Sequence, residues 1–233
     1  MHMRLHRFIG DFDLTKETLS VSDRAHINQW RNVLRLKVGD ALVLSDGEGH
    51  EATATLIEST GAEIRLALAE METPGREPKK EVALYCAILK RENFELVAQK
   101  ATEIGIRQIV PLLSERTLKQ GLNRERLMRI LVEASEQSGR TTVPELGEPT
   151  AFEEAIAAVN PAESTLFDLS GAPFADFDLK DFRTFNLFIG PEGGFAESEV
   201  ALARDRGLTI ASLGSLTLRG ETAAIVASYL SVQ

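Results

Sequence analysis

Two glycine-bearing loops hold the residue types that let a backbone touch a ligand. Asn186-Leu187-Phe188-Ile189-Gly190-Pro191-Glu192-Gly193-Gly194-Phe195 runs from an apolar strand into a turn with three glycines and a proline. Glycine tolerates positive φ and has no Cβ to hold a flat or charged group away, while proline stiffens the turn. Leu213-Gly214-Ser215-Leu216-Thr217-Leu218-Arg219-Gly220-Glu221-Thr222-Ala223 follows a second short apolar strand and leads into a helix. Two such loops, close in sequence, imply one pocket.

The chemistry of that pocket is narrowed by what it lacks. A phosphate-cradling loop needs lysine followed by Ser or Thr at a helix start, and no lysine follows Lys180. Gly190, Gly193 and Gly194 do not have the G-x-G-x-x-G spacing of a dinucleotide turn. A cationic or neutral ligand suits the site better than a polyphosphate. His2, His6, His26 and His50 show no paired ligand spacing, so no metal site is expected. Cys86 lies in an apolar strand without a nearby histidine and reads as a core residue. Ser212 and Ser215 have no evident base, and covalent catalysis is not expected.

The elements that must position these loops alternate in the second part of the chain. Val82 to Leu89, Ile109 to Leu113, Thr165 to Leu169, Leu187 to Ile189 and Leu208 to Leu213 read as strands. Between and after them, 91 to 105 (with Gly105 as C-terminal cap), Arg124 to Gln137, Ala151 to Val159 (with Thr150 as N-cap), Glu197 to Arg206 and Glu221 to Leu230 read as helices. This is an α/β domain with a mainly parallel sheet, and both glycine loops sit at strand C-terminal ends, where ligands bind. The first seventy residues differ. Ser22-Asp23 begins a helix that carries Ile27, Trp30, Val33 and Leu34 up to Arg35; Ala41 to Ser45, His50 to Ile57 and Ala62 to Ala69 read as strands, with Asp46-Gly47-Glu48-Gly49 as a hairpin turn. A small β-rich barrel or sheet is predicted over 1–73. The linker composition of Thr73 to Pro78 starts the second domain at 74, running to 233.

The 233 residues, 43% hydrophobic, can bury a core, and the single cysteine forms no internal disulfide. No stretch approaches a membrane span and the N-terminus has no secretion-signal pattern, which points to the cytoplasm. The net charge of −9 argues against a nucleic-acid partner until its distribution is counted. Residues 76–130 hold 12 Lys and Arg against 7 Asp and Glu, whereas residues 131–233 hold 6 against 16. Positive charge is concentrated mid-chain.

Ile189-Gly190-Pro191-Glu192-Gly193-Gly194-Phe195 with Glu199, and Leu213-Gly214 with Leu218-Arg219 and Glu221-Thr222-Ala223, closely resemble the two signature loops of the RsmE family, ribosomal RNA small subunit methyltransferase E. The resemblance extends through Lys100-Ala101-Thr102-Glu103-Ile104-Gly105 with Pro111, and through Glu133-Ala134, Glu136-Gln137-Ser138 and Arg140 with Pro144. It reaches Arg7-Phe8 and Val33-Leu34-Arg35-Leu36-Lys37 with Gly39-Asp40 in the first domain. It implies a SPOUT-class methyltransferase domain with a trefoil knot, preceded by a PUA-like domain and working as a homodimer. The implied reaction is methylation of N3 of one uridine in the decoding region of 16S rRNA from S-adenosylmethionine, without a metal. The family often has Pro, Arg and Ile where this chain has Ser215, Leu216 and Thr217.

The resemblance also implies roles. Leu166, Gly190, Pro191, Glu192, Gly193, Gly194, Leu213, Gly214, Leu218, Glu221 and Thr222 would bind the cofactor. The glycines would open main-chain groups to the adenosine, with Leu213, Gly214 and Leu218 framing the adenine. Glu192 and Glu221 would contact ribose hydroxyls, balance the sulfonium or cap helices. Arg219 would stabilise charge developing on the uracil oxygens. Glu103, Glu136 or water would take the N3 proton. Arg4, Arg7, Arg31, Arg35, Lys37, Lys90, Arg91, Lys100, Arg116 and Arg140 are candidate phosphate contacts. Two alternatives stand beside this reading: a related enzyme acting on a ribose 2′-hydroxyl or another base, and a non-catalytic RNA-binding assembly factor.

Overall fold

In a computed structural model describing residues 5–118, 121–177 and 182–233, the chain divides into two units. The first is the chain up to Glu77 together with Ser135–Val143, and the second is Pro78–Ala134 with Pro144–Gln233.

In the first unit β1 (Arg7–Ile9), β2 (Thr18–Val21), β3 (Ala41–Ser45), β4 (Glu51–Ser59) and β5 (Ile64–Leu68) form a sheet in the order β1-β3-β4-β5-β2. β1 runs parallel to β3 and the other pairs are antiparallel. The Asp46 carboxylate shapes the β3–β4 turn by accepting the N–H groups of Glu48 and His50. Asp23 caps α1 (Arg24–Ile27), taking the His26 N–H at 2.9 Å. The helix expected to run regularly to Arg35 instead widens into a π turn over Asn28–Val33, with the Leu34 N–H reaching back to the Gln29 carbonyl. The extra residue in that turn rotates Val33 into solvent, whereas Ile27 and Trp30 remain in a core with Phe8, Phe12, Leu42 and Leu66.

Ser135–Val143 joins this unit through hydrogen bonds that the sequence order hides. The Ile9 N–H donates to Glu136 Oε1, and the Ser45 hydroxyl donates to the Thr141 carbonyl. Glu77 accepts the N–H groups of Thr141 and Thr142 and the guanidinium of Arg140. Arg76 pairs with Glu51. The residues with linker composition therefore have partners within the first unit, whose edge falls after Glu77.

In the second unit β6 (Glu81–Ala87), β7 (Gln108–Leu113), β8 (Glu145–Leu146), β9 (Thr150–Ala151), β10 (Ser164–Pro173), β11 (Thr184–Ile189) and β12 (Thr209–Ser212) form the expected parallel sheet. Its order is β12-β10-β11-β6-β7-β8, β9 also pairs with β7, and each of these pairs is parallel. The helices are α2 (Arg91–Ile104), α3 (Arg124–Ser138, whose end counts with the first unit), α4 (Phe152–Ala158), α5 (Glu197–Asp205) and α6 (Gly220–Val232). Gly105 ends α2 at φ 109°, its N–H on the Ala101 and Thr102 carbonyls. Thr150 is not the cap of α4. It pairs with Leu112 as part of β9, which leaves Ala151 at the cap position.

β10 meets β12 twice. Phe167 and Ala172 both pair with Ala211, and the residues between them bulge out. Gly171 in that bulge lies directly on the Ala211 main chain, where a Cβ would come within 2.5 Å of Cα and N. At this end of the sheet Phe167 has Ile189 on one side and Ala211 on the other, so the bulge of β10 and the loops leaving β11 and β12 share one space.

Candidate functional site

Those three segments enclose a cavity of about 350 Å³. Its walls are Phe167, Asp168 and Leu169 at the bulge within β10, Ile189 at the end of β11 with Gly190 through Phe195 after it, and Ser212 at the end of β12 with Leu213 and Leu216 through Leu218 after it. Gly220 and Ala223 of α6 and Arg116 from the loop after β7 complete them. The size lies at the small end of the roughly 300–1,000 Å³ range of ligand sites, and a mainly apolar wall with a few polar groups is their usual character.

Each part of the wall is held from outside. The glycine loop folds on itself, with the Gly194 N–H on the Pro191 carbonyl at 2.8 Å and Gly194 at φ 68°. A Cβ on Gly190 would sit 3.0 Å from the Phe195 nitrogen, which explains glycine there. Arg116 Nη1 donates to the carbonyls of Gly193 at 2.9 Å and Phe195 at 3.3 Å. Glu199, buried in the first turn of α5, accepts the N–H groups of Ala196 and Glu115 and so ties the end of the glycine loop to the loop after β7. Glu192 Oε1 accepts the Lys90 N–H at 3.2 Å, capping the start of α2. Gly220 lets α6 begin hard against Leu89: a Cβ would meet Leu89 Cδ2 at 2.9 Å.

The chain is similar to known proteins over most of its length. The profile of the RNA methyltransferase domain matches residues 76–231, and that of the RNA methyltransferase PUA domain matches residues 31–67. The chain is 31% identical over 214 residues to the ribosomal RNA small subunit methyltransferase E of Rickettsia conorii, covering 87% of this chain and 84% of that one. It is 34% identical over 211 residues to the enzyme of that name from Synechocystis sp., covering 87% and 69%. The chain belongs to the ribosomal RNA small subunit methyltransferase E family. Among solved structures, the family member from Neisseria gonorrhoeae, bound to S-adenosyl methionine, superposes with a TM-score of 0.88 at 27% identity, covering 97% of this chain and 96% of that one. A Legionella pneumophila chain in complex with SAM gives 0.88 at 28% identity, covering 98% and 97%.

Within this family member the predicted site residues divide. Gly190, Pro191, Glu192, Gly193, Gly194, Leu213 and Leu218 line the cavity. Leu166 does not: it is fully buried in the core with Leu112, Phe188 and Val200, and strand alternation puts its neighbour Phe167 on the wall instead. Gly214, at φ 128°, and the exposed Thr222 are also outside the wall. Glu221 stands just behind it, 8% exposed, and its Oε2 has no hydrogen-bond partner among the described residues. Arg219 is the exposed N-cap of α6, flanked by the wall residues Leu218 and Gly220.

Asp168 and Leu169 went unread because nothing in the strand pattern marks the residues at which β10 bulges; Leu216 and Thr217 lie in the part of the loop that departs from the family pattern. Neither proposed proton acceptor lines the cavity. Glu103 pairs with Lys100 one turn away on α2, and Glu136 is bonded within the first unit. Cys86 is buried, and burial reinforced by Glu192 and Glu221 pushes its thiol far above the ordinary range, which suits an inert core residue.

The basic candidates divide as well. Arg7 pairs with Glu51, and Arg140, 7% exposed, is engaged by Glu77, so neither presents a free charge. Lys100 is paired with Glu103, and Arg116 is turned onto the glycine loop. Arg31, Arg35, Lys37 and Lys90 are exposed. Arg4 and the side chain of Arg91 lie outside the described residues.

Proposed function

We propose that this protein transfers a methyl group from S-adenosylmethionine to N3 of a uridine in the decoding region of 16S rRNA. The observation that carries the reading is the cavity at the ends of β10, β11 and β12, built by both signature loops in a chain of this family. The residues fit such a cofactor. The glycine loop gives it main-chain groups, Phe167, Leu213 and Leu218 give apolar surface, and Asp168 and Glu192 give negative charge for its cationic centres. Glu221, with a buried carboxylate oxygen lacking a partner, adds to the same negative field.

When bound, the cofactor supplies an electrophilic methyl on a sulfonium, for which no metal is needed. The chain's own work is to position and to balance charge. Leu169 and Leu216, 59% and 77% exposed, place apolar surface at the cavity mouth where a base can lie. Arg219, with no ion pair among the described residues, stabilises the negative charge that spreads onto the uracil oxygens as N3 gives up its proton to water. On this reading the protein is a cytoplasmic homodimer, its second unit is the knotted SPOUT domain, and the close passage of Gly171 over Ala211 is part of that threading. The first unit, with exposed Arg31, Arg35 and Lys37, contacts rRNA phosphates within the small subunit.

The test offers labelled S-adenosylmethionine with naked 16S rRNA, 30S subunits and 70S ribosomes in parallel. Transfer to 16S rRNA in at least one of them is expected. Cofactor binding without transfer to any of them would overturn the catalytic reading.

A further inference from the structure

We propose that Arg116 is a specificity-determining residue of the cavity, whose guanidinium recognises the carboxylate of the amino-acid tail on the bound methyl donor. The inference rests on the methyl-donor reading above and assigns a role to a residue that sequence alone placed among the phosphate contacts.

Three observations carry it. First, Arg116 is a wall of the cavity, brought there by the loop after β7. Secondly, the wall itself fixes its direction: Nη1 donates to the carbonyls of Gly193 and Phe195, while Nε and Nη2 make no hydrogen bond among the described residues. Neighbouring acids do not take up this charge. Glu199 accepts main-chain N–H groups, and Glu115 takes the Ser198 hydroxyl. Thirdly, the charges on the wall are one cation, Arg116, and two anions, Asp168 and Glu192. S-adenosylmethionine carries the opposite set, one carboxylate against an ammonium and a sulfonium. A guanidinium with two N–H edges unused is the side chain best matched to a carboxylate.

The measurement is calorimetric affinity for S-adenosylhomocysteine and for its decarboxylated analogue, with the full-length wild-type chain, Arg116→Met and Arg116→Lys. Wild type should bind the decarboxylated analogue about tenfold more weakly, the size of one charge-assisted hydrogen-bonded contact. Arg116→Met should weaken S-adenosylhomocysteine about tenfold more than it weakens the decarboxylated analogue, any loss common to both ligands reflecting the brace that Arg116 gives to the glycine loop. Arg116→Lys, which keeps the charge but not the fork, should fall between wild type and Arg116→Met for S-adenosylhomocysteine alone.

Equal weakening of both ligands by Arg116→Met would mean that the residue only braces the glycine loop, and would overturn the assignment. So would unchanged affinity for both together with weaker rRNA binding, which would make Arg116 a phosphate contact. If wild type binds neither ligand, the methyl-donor reading falls and takes this inference with it.

Discussion

Arg219 holds its charge where a helix least favours it, at the positive N-terminal end of α6, and has no ion-pair partner among the described residues. Its position serves stability poorly and the cavity rim well. Arg219→Ala should leave the melting temperature and cofactor affinity unchanged while lowering single-turnover methyl transfer by about 10²–10³, the usual effect of losing one donor to a developing oxyanion. An unaltered turnover rate would remove Arg219 from the mechanism. Cys86 gives a second residue-scale prediction. Its thiol is held protonated in the fold, whereas in the unfolded chain it ionises near its ordinary 9.0. Its contribution to stability is therefore complete below that pH and is lost as pH rises above it. Cys86 should accordingly resist thiol reagents at pH 8 in the native protein and react on unfolding; rapid native-state labelling would contradict the burial.

At the scale of elements, the two glycine loops were legible because turn chemistry is local: Gly190, Pro191 and Gly194 announce a tight turn wherever they occur. Gly190→Ala should weaken cofactor binding by about tenfold or more, since its Cβ would press on the Phe195 nitrogen and shift the wall, a displacement of the kind that costs about 1–3 kcal/mol. Calorimetry on a variant that melts normally would show it, and wild-type affinity would mean that the loop tolerates a side chain. What was not legible depended on distant partners. Leu166 and Phe167 have similar local patterns, and only the packing of β10 between β11 and β12 decides which faces the cavity. Thr150 has a capping residue's chemistry, but pairing with β7 claims it for a strand. Arg116 reaches the site from the loop after β7 and Asp168 from the bulge of β10, and no spacing rule links them to Gly190.

At the scale of the molecule, alternation separated a β-rich first part from an α/β second part but could not show that Ser135–Val143 returns to the first unit. Glu77 is one of the groups that hold this return, its carboxylate accepting from Arg140, Thr141 and Thr142. Glu77→Ala removes the acceptor shared by Arg140, Thr141 and Thr142 and should cost about 1.5–3 kcal/mol in a denaturant titration; a loss under about 0.5 kcal/mol would mean that the segment is held by its other contacts. The chain's net charge of −9 conceals exposed cations on both units, Arg31, Arg35 and Lys37 on one and Lys90 on the other. The most direct measurement is therefore of the product that these parts together make. After reaction with S-adenosylmethionine, 16S rRNA from the most active of the three substrates is digested to nucleosides and analysed by mass spectrometry. The account predicts 3-methyluridine, formed by the wild-type chain and greatly reduced with Arg219→Ala. A 2′-O-methyl nucleoside, a methylated base other than uracil, or no methylated product would contradict it.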